Sequence, residues 1–230
     1  MSSKPSILFI LTSHNKLGSL DKPTGWYLPE LAHPYMILRN KSNITIASPQ
    51  GGEAPLDPAS IDAAKDDDVS VHFLNNDQAV WKNTSKLSDY IGKASEFDAI
   101  FYVGGHGPMF DLADDASSQA LIREFWEAGK IVSAVCHAPA VFYNVKLSDG
   151  TLLVAGKEVT AFTNAEEEQV GLVDALPFLP EDVLGKAGGR FVKAREPWGV
   201  KVVVEGRLIT GQNPASASGV GEEIAKALGI

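Results

Sequence analysis

Short apolar runs rich in β-branched residues recur along the chain at 6–12, 43–48, 99–103, 130–135, 200–205 and 207–210. Runs this short, with little polar alternation, predict strands buried on both faces, as in a parallel sheet. Between the first two, 27–39 places Leu31, Tyr35 and Leu38 on one helical face. Between the third and fourth, 117–128 does the same with Leu121, Ile122 and Phe125 and stops at Gly129. A last amphipathic helix is predicted over 216–228. Strand, helix, strand implies crossover connections and an α/β fold, a mostly parallel doubly wound sheet sandwiched by helices. Turns at Gly156 and Gly206 predict two hairpins, 154–160 and 200–210, that add antiparallel strands. Residues 49–96 break the alternation with Pro49, Gly51, Gly52, Pro55 and Pro58, and read as an insertion on the core of a single domain spanning 1–230. The acidic run Asp66-Asp67-Asp68 inside it reads as a solvated face.

Composition narrows the function. The chain has 230 residues, 44% of them hydrophobic and 21% charged, which is a globular composition and not a disordered one. Lys plus Arg number 20 against 29 Asp plus Glu, a net charge of −9, which opposes attraction to nucleic acid or anionic membranes. No apolar run approaches the roughly 18 residues of a membrane span. The single cysteine, Cys136, excludes an intrachain disulfide, so a cytoplasmic (and nuclear) location is expected.

Two turns carry the candidate chemistry. In 130–140 an apolar strand meets Cys136-His137-Ala138-Pro139. A cysteine at such a strand-to-helix elbow stands above the carboxyl ends of the parallel strands, where open α/β sheets collect ligands. The positive end of a following helix would favour its thiolate. After the third strand comes Val103-Gly104-Gly105-His106-Gly107, whose glycines allow close approach and whose amides could hold an oxyanion. His14, His33, His72 and His106 show no shared metal-ligand spacing, so no metal or other cofactor is expected.

These residues, with Thr-Gly-Gln-Asn-Pro-Ala-Ser at 210–216 and Thr-Gly-Trp-Tyr-Leu-Pro-Glu at 24–30, resemble the DJ-1/PfpI superfamily, specifically its Hsp31-like branch of fungal glutathione-independent glyoxalases (glyoxalase III). The resemblance implies a dimeric, flavodoxin-like protein that converts methylglyoxal, or glyoxal, without a cofactor, giving D-lactate from methylglyoxal. It also implies Cys136 as nucleophile, His137 as acid/base, Glu168 as the carboxylate orienting His137, and Glu30 as a buried acid touching the sulfur. Gly105, His106 and Trp26 are expected to line the substrate site. From the residues alone, Glu166 to Glu168 are also explained as first-turn acids of a helix capped by Asn164. Helical positions about 100° apart let at most one of them face the site. Other readings of the same residues stay open: a cysteine amidase or protein deglycase, or a stress-induced holdase or redox sensor binding unfolded client proteins.

Overall fold

The computed structural model describes residues 4–230. Its strands are β1 (Ser6–Ile10), β2 (Asn43–Ser48), β3 (Ser85–Lys86), β4 (Ala99–Tyr102), β5 (Ile131–Val135), β6 (Glu158–Val159), β7 (Arg190–Phe191), β8 (Val202–Glu205) and β9 (Leu208–Gly211). Its α-helices are α1 (Leu28–Leu38), α2 (Pro58–Ala63), α3 (Asp68–Asn76), α4 (Ala79–Lys82), α5 (Pro108–Asp111), α6 (Ala116–Glu127), α7 (Asn164–Val170), α8 (Pro180–Lys186) and α9 (Ala217–Leu228). Seven strands form one sheet in the order β3-β2-β1-β4-β5-β9-β8, parallel throughout except for the β8–β9 pair.

The alternation of side chains along each strand divides the core in two. Leu8, Ile10, Ile100, Tyr102, Val132 and Ala134 point to one face, where Leu121, Ile122 and Phe125 of α6 cover them. Ile7, Phe9, Phe101, Val103 and Val135 point to the other, under Leu31 of α1 and Val220 and Ile224 of α9. Both faces being covered is why the strands read as continuous apolar runs. Close packing of α9 on α1 depends on Gly221, whose missing Cβ would sit 2.9 Å from the Pro34 Cα. No helix among the described residues is long and apolar enough to cross a membrane.

The 205–206 turn closes the β8–β9 hairpin as expected, but the hairpin at 154–160 does not form. Gly156 (φ 72°) instead donates its amide to Gly188 O, and β6 pairs in parallel with β7 from a distant segment. A glycine turn fixes a reversal, not which strand receives the next residues. Residues 49–96 hold α2, α3, α4 and the edge strand β3. Asp57 N donates to Trp26 O, and Trp26 N donates to Pro55 O, so this segment is laced to the start of α1 and builds one wall of the cavity described next. Within the acidic run, Asp67 is not merely solvated: it caps α3 by accepting from Val69 N, and it bonds His33.

Candidate active site

The end of β5 turns sharply at Cys136, a non-glycine residue at φ 64°. A side chain in this left-handed region is strained by roughly 1–3 kcal/mol, and persists where the surroundings over-determine it. Cys136 N donates to Gly211 O at 2.9 Å and Phe162 N donates to Cys136 O at 2.8 Å, which pins the elbow from both sides. The turn breaks strand alternation, so adjacent side chains meet: Cys136 Sγ lies 3.2 Å from His137 Nδ1. His137 is sandwiched against Phe162, with ring centroids 4.3 Å apart, and is buried.

Beyond the histidine stands Glu167, not Glu168. His137 Nε2 is 2.5 Å from Glu167 Oε2, and His106 Nε2 is 3.0 Å from Glu167 Oε1. Glu168, expected here, is exposed and takes no part. The reason is the phase of α7. Its N-cap is Thr163, not Asn164, and forms a capping box with Glu166, whose Oε2 accepts from both Thr163 N and Thr163 Oγ1. That reach-back fixes the helix rotation, and one step of about 100° turns Glu167 inward and the next turns Glu168 outward. The other oxygen of Glu166 accepts from Trp198 N, Gln212 Nε2 and Asn213 Nδ2. The 210–216 motif therefore supports the site from behind.

Because one carboxylate accepts from both imidazoles, each carries its proton on Nε2, and His137 Nδ1 is left as a free base facing the sulfur. These two bonds hold the Glu167 carboxyl well below the usual range against the opposing effect of burial. Burial, followed by the neighbouring His106, lowers His137 to about 4, so it rests neutral. The atoms of His106, His137 and Glu167 lie within 4.8 Å of one another, a cluster that the spacing 106, 137, 167 did not disclose. These three could hold a divalent ion in place of their mutual hydrogen bonds.

Glu30 is fully buried, and neither of its oxygens has a hydrogen bond of good geometry. Burial raises its carboxyl well above the usual 4.5, outweighing the nearby Cys136 thiol and the Gly105 and Gly104 amides. Its neutral form is therefore favoured by burial. Burial likewise raises the thiol, although the amides of Gly105 and His137 face the sulfur and oppose this. The pull toward thiolate expected of a following helix is thus opposed by burial. Cys136 is only 3% exposed, and the turn that follows, Ala138–Phe142, is a short 3₁₀ segment with little dipole to offer. The Cys136 amide is also occupied by Gly211, so the donors left for an oxyanion are those of Gly105 and His137.

Gly104 makes room for Glu30. A Cβ there would overlap Glu30 Oε2 and lie 2.5 Å from Val135 O. Gly104→Ala is expected to cost about 1–3 kcal/mol through overpacking and to displace Glu30, which thermal denaturation together with Cys136 alkylation rates would measure.

Glu30 also makes a pH prediction. A carboxyl raised on folding stabilises fully below its unfolded value of 4.5, and that contribution is lost as pH rises toward the folded value. Glu30→Gln removes the titration, so its melting temperature should gain on the parent as pH is raised from 5 to 8, while its turnover falls. Parallel melting curves for the two proteins across that range would contradict a protonated Glu30.

Cys136, His137, Gly105 and His106 line one cavity of about 270 Å³ with Tyr27, Asp57, Phe162, Leu172 and Trp198. Trp26 does not reach it. Trp26 is wholly buried, donates Nε1 to Ala54 O, and packs on Phe73 and Trp81. Trp198 takes the place expected of it. Held at φ 66° by the hydrogen bond its backbone N–H donates to Glu166 Oε1, it is 44% exposed and meets Phe162 edge-on at 5.4 Å. Nothing in the apolar pattern around 198 marks it, because the loop carrying it is placed by the buried Glu166.

A seven-stranded α/β sandwich with a strained cysteine elbow, a histidine and a glutamate defines a class, and the DJ-1/PfpI family model matches residues 30–227. The chain belongs to that family. It is 31% identical to glyoxalase 3 of Candida albicans, covering 95% of this chain and 96% of that one. It is 33% identical to the glutathione-independent glyoxalase hsp3102 of Schizosaccharomyces pombe, covering 90% of each. Among solved structures, Rapid Encystment Protein 24 KDa of Francisella tularensis superposes with a TM-score of 0.91 at 37% identity over 97% of this chain and 99% of that one. Glyoxalase III of Candida albicans superposes with a TM-score of 0.85 at 31% identity, covering 97% of both.

Proposed function

We propose that this protein is a glutathione-independent glyoxalase that converts methylglyoxal to D-lactate. The observation that carries the reading is the relay Cys136 Sγ, His137 Nδ1, His137 Nε2, Glu167 Oε2, at 3.2 and 2.5 Å, opening into a cavity of about 270 Å³. The names of the relatives point the same way.

The chemistry follows from the resting protonation. A neutral His137 takes the thiol proton through Nδ1 as sulfur adds to the aldehyde carbon, giving a hemithioacetal. The Gly105 and His137 amides stabilise the oxygen. His137 passes the thiol proton to that oxygen and is free again as a base. It then removes the hydrogen from the same carbon and delivers it to the neighbouring carbon while the hydroxyl proton moves to the former ketone oxygen, which completes the isomerisation to a lactoyl thioester. Water cleaves the thioester to lactate and free thiol. Since the cysteine itself forms the hemithioacetal, no thiol cofactor is required. Neutral Glu30 donates toward the sulfur as charge develops there. The family resemblance also supports a homodimer in the cytoplasm.

The test is D-lactate formation from methylglyoxal by purified protein without added thiol, before and after dialysis against chelator. Turnover unchanged by chelator is expected. An absolute need for glutathione, or loss on chelation and return with zinc, overturns the reading.

The cavity exceeds the needs of a three-carbon substrate, and Trp198 closes its rim. Trp198→Ala is expected to raise KM for methylglyoxal about three- to tenfold with kcat within twofold, because it removes contact area and not a reacting group. Steady-state kinetics would show this; a fall in kcat alone would place Trp198 in the chemistry instead.

A further inference from the structure

On the face of the molecule formed by α1, α3 and α9, a second nucleophile, imidazole and carboxylate stand in line. Ser218 Oγ is 2.9 Å from His33 Nδ1, and His33 Nε2 is 2.7 Å from Asp67 Oδ2. The three residues come from the first turn of α9, the middle of α1 and the N-cap of α3. The ring is used in the same sense as His137, with Nδ1 toward the nucleophile and Nε2 toward the acid.

The carboxylate is built in. Asp67 also accepts from Ser70 Oγ at 2.6 Å and from Val69 N at 3.2 Å. Burial works against its charge, but the bonds from Ser70 and His33 prevail and keep it below the usual carboxylate range. An ionised Asp67 accepts a hydrogen bond from Nε2–H and leaves His33 Nδ1 as acceptor for the Ser218 hydroxyl. Ser218 and His33 are half-buried, so the hydroxyl is within reach of solvent. Beside them opens a cleft of about 270 Å³ walled by Pro29, Ala63, Ala64, Pro214 and Ala215. These small, apolar walls contribute no competing charge. Ser218 lies in the first turn of a 12-residue helix, whose positive end favours an oxygen gaining negative charge. Pro214 alone lines both this cleft and the Cys136 cavity.

We propose that Ser218, His33 and Asp67 form a second, independent nucleophilic site that hydrolyses small uncharged esters. Ser218 Oγ adds to the ester carbonyl carbon as its proton passes to His33 Nδ1. The carbon–oxygen bond to the alcohol breaks, the alcohol leaves with that proton, and water then cleaves the acyl-serine to acid and free hydroxyl. No oxidant, metal or cofactor enters the balance. A purely mechanical role, a hydrogen-bonded staple joining three helices, uses the same contacts but makes no covalent intermediate.

The experiment separates the two. The full-length protein carrying Cys136→Ala, which silences the thiol, is incubated with p-nitrophenyl acetate and, separately, with a fluorophosphonate probe. Expected are saturable hydrolysis and a phosphonyl adduct mapped to Ser218 by peptide mass spectrometry. Adding Ser218→Ala or His33→Gln should lower hydrolysis at least tenfold, and Ser218→Ala in the otherwise unaltered chain should leave methylglyoxal turnover unchanged. Labelling of the chain with Ser218 intact decides the matter even if a variant folds poorly. Absence of an adduct on Ser218, or equal hydrolysis with and without its hydroxyl, overturns the proposal and leaves the staple. The glyoxalase reading stands or falls separately, on Cys136.

Discussion

Cys136→Ala is expected to fold as the parent does and to lose methylglyoxal turnover by at least about 10³-fold, since no other group can form the hemithioacetal. The side chain is small and its removal should alter stability by only about 1 kcal/mol. Its backbone makes a sharper test. At φ 64° an alanine keeps the steric strain and a glycine relieves it. Cys136→Gly should therefore melt above Cys136→Ala while being equally inactive. Thermal denaturation and lactate assays on the three proteins check both halves. Retention of half the parental rate by either variant would mean that catalysis is not covalent, and an identical melting temperature for the two would mean that the elbow stores no strain.

Glu167→Gln is expected to lower kcat by about 10²–10⁴-fold, whereas Glu168→Gln should remain within twofold of the parent. An amide at 167 cannot accept from both imidazoles: one of its two positions is a donor, so either His106 or His137 must turn or exchange its tautomer. If His137 places its proton on Nδ1, it presents a donor to the thiol and cannot serve as base. Glu168 is exposed, and a surface carboxylate far from the reacting atoms leaves the barrier alone. Equal losses in the two variants would show that α7 rotates in solution away from the orientation its capping box sets.

The relation between His106 and His137 adds to this expectation. Their rings are 4.1 Å apart and share Glu167. Burial first, and then the neighbouring His106, lower His137 to about 4. Below its unfolded value of about 6.5, the unfolded chain binds the proton that buried His137 refuses, so this group withdraws stability as pH falls from about 6.5 toward 4. Glu167, lowered on folding, withdraws more as pH falls further through its own folded value. Resistance to acid should therefore be poor, and replacing His137 by a neutral residue should flatten the upper part of that decline.

Much of this protein is determined by its sequence through local physics. The continuous apolar runs of β1, β4 and β5 can only be strands covered on both sides, and that alone implies the α/β sandwich. The glycines at 104 and 105 and the cysteine after β5 fall at the ends of neighbouring strands, so their convergence follows from the topology. The single cysteine and the net charge of −9 also narrow the chemistry by themselves. Other features depend on contacts between distant segments. Which of three consecutive glutamates faces His137 was decided by Thr163 and Glu166, since a one-residue shift of the cap rotates the helix by about 100°. That burial raises both the Glu30 carboxyl and the Cys136 thiol depends on their packing beneath Gly104, a desolvation that no sequence neighbour reveals. Trp26 is withdrawn from the cavity it was expected to line because the segment 49–96 folds over it, while Glu166 holds Trp198 at the rim. The line of Ser218, His33 and Asp67 joins residues as many as 185 positions apart. Local periodicity carries no information at that separation; only the packing of α1, α3 and α9 brings the three groups within hydrogen-bonding distance.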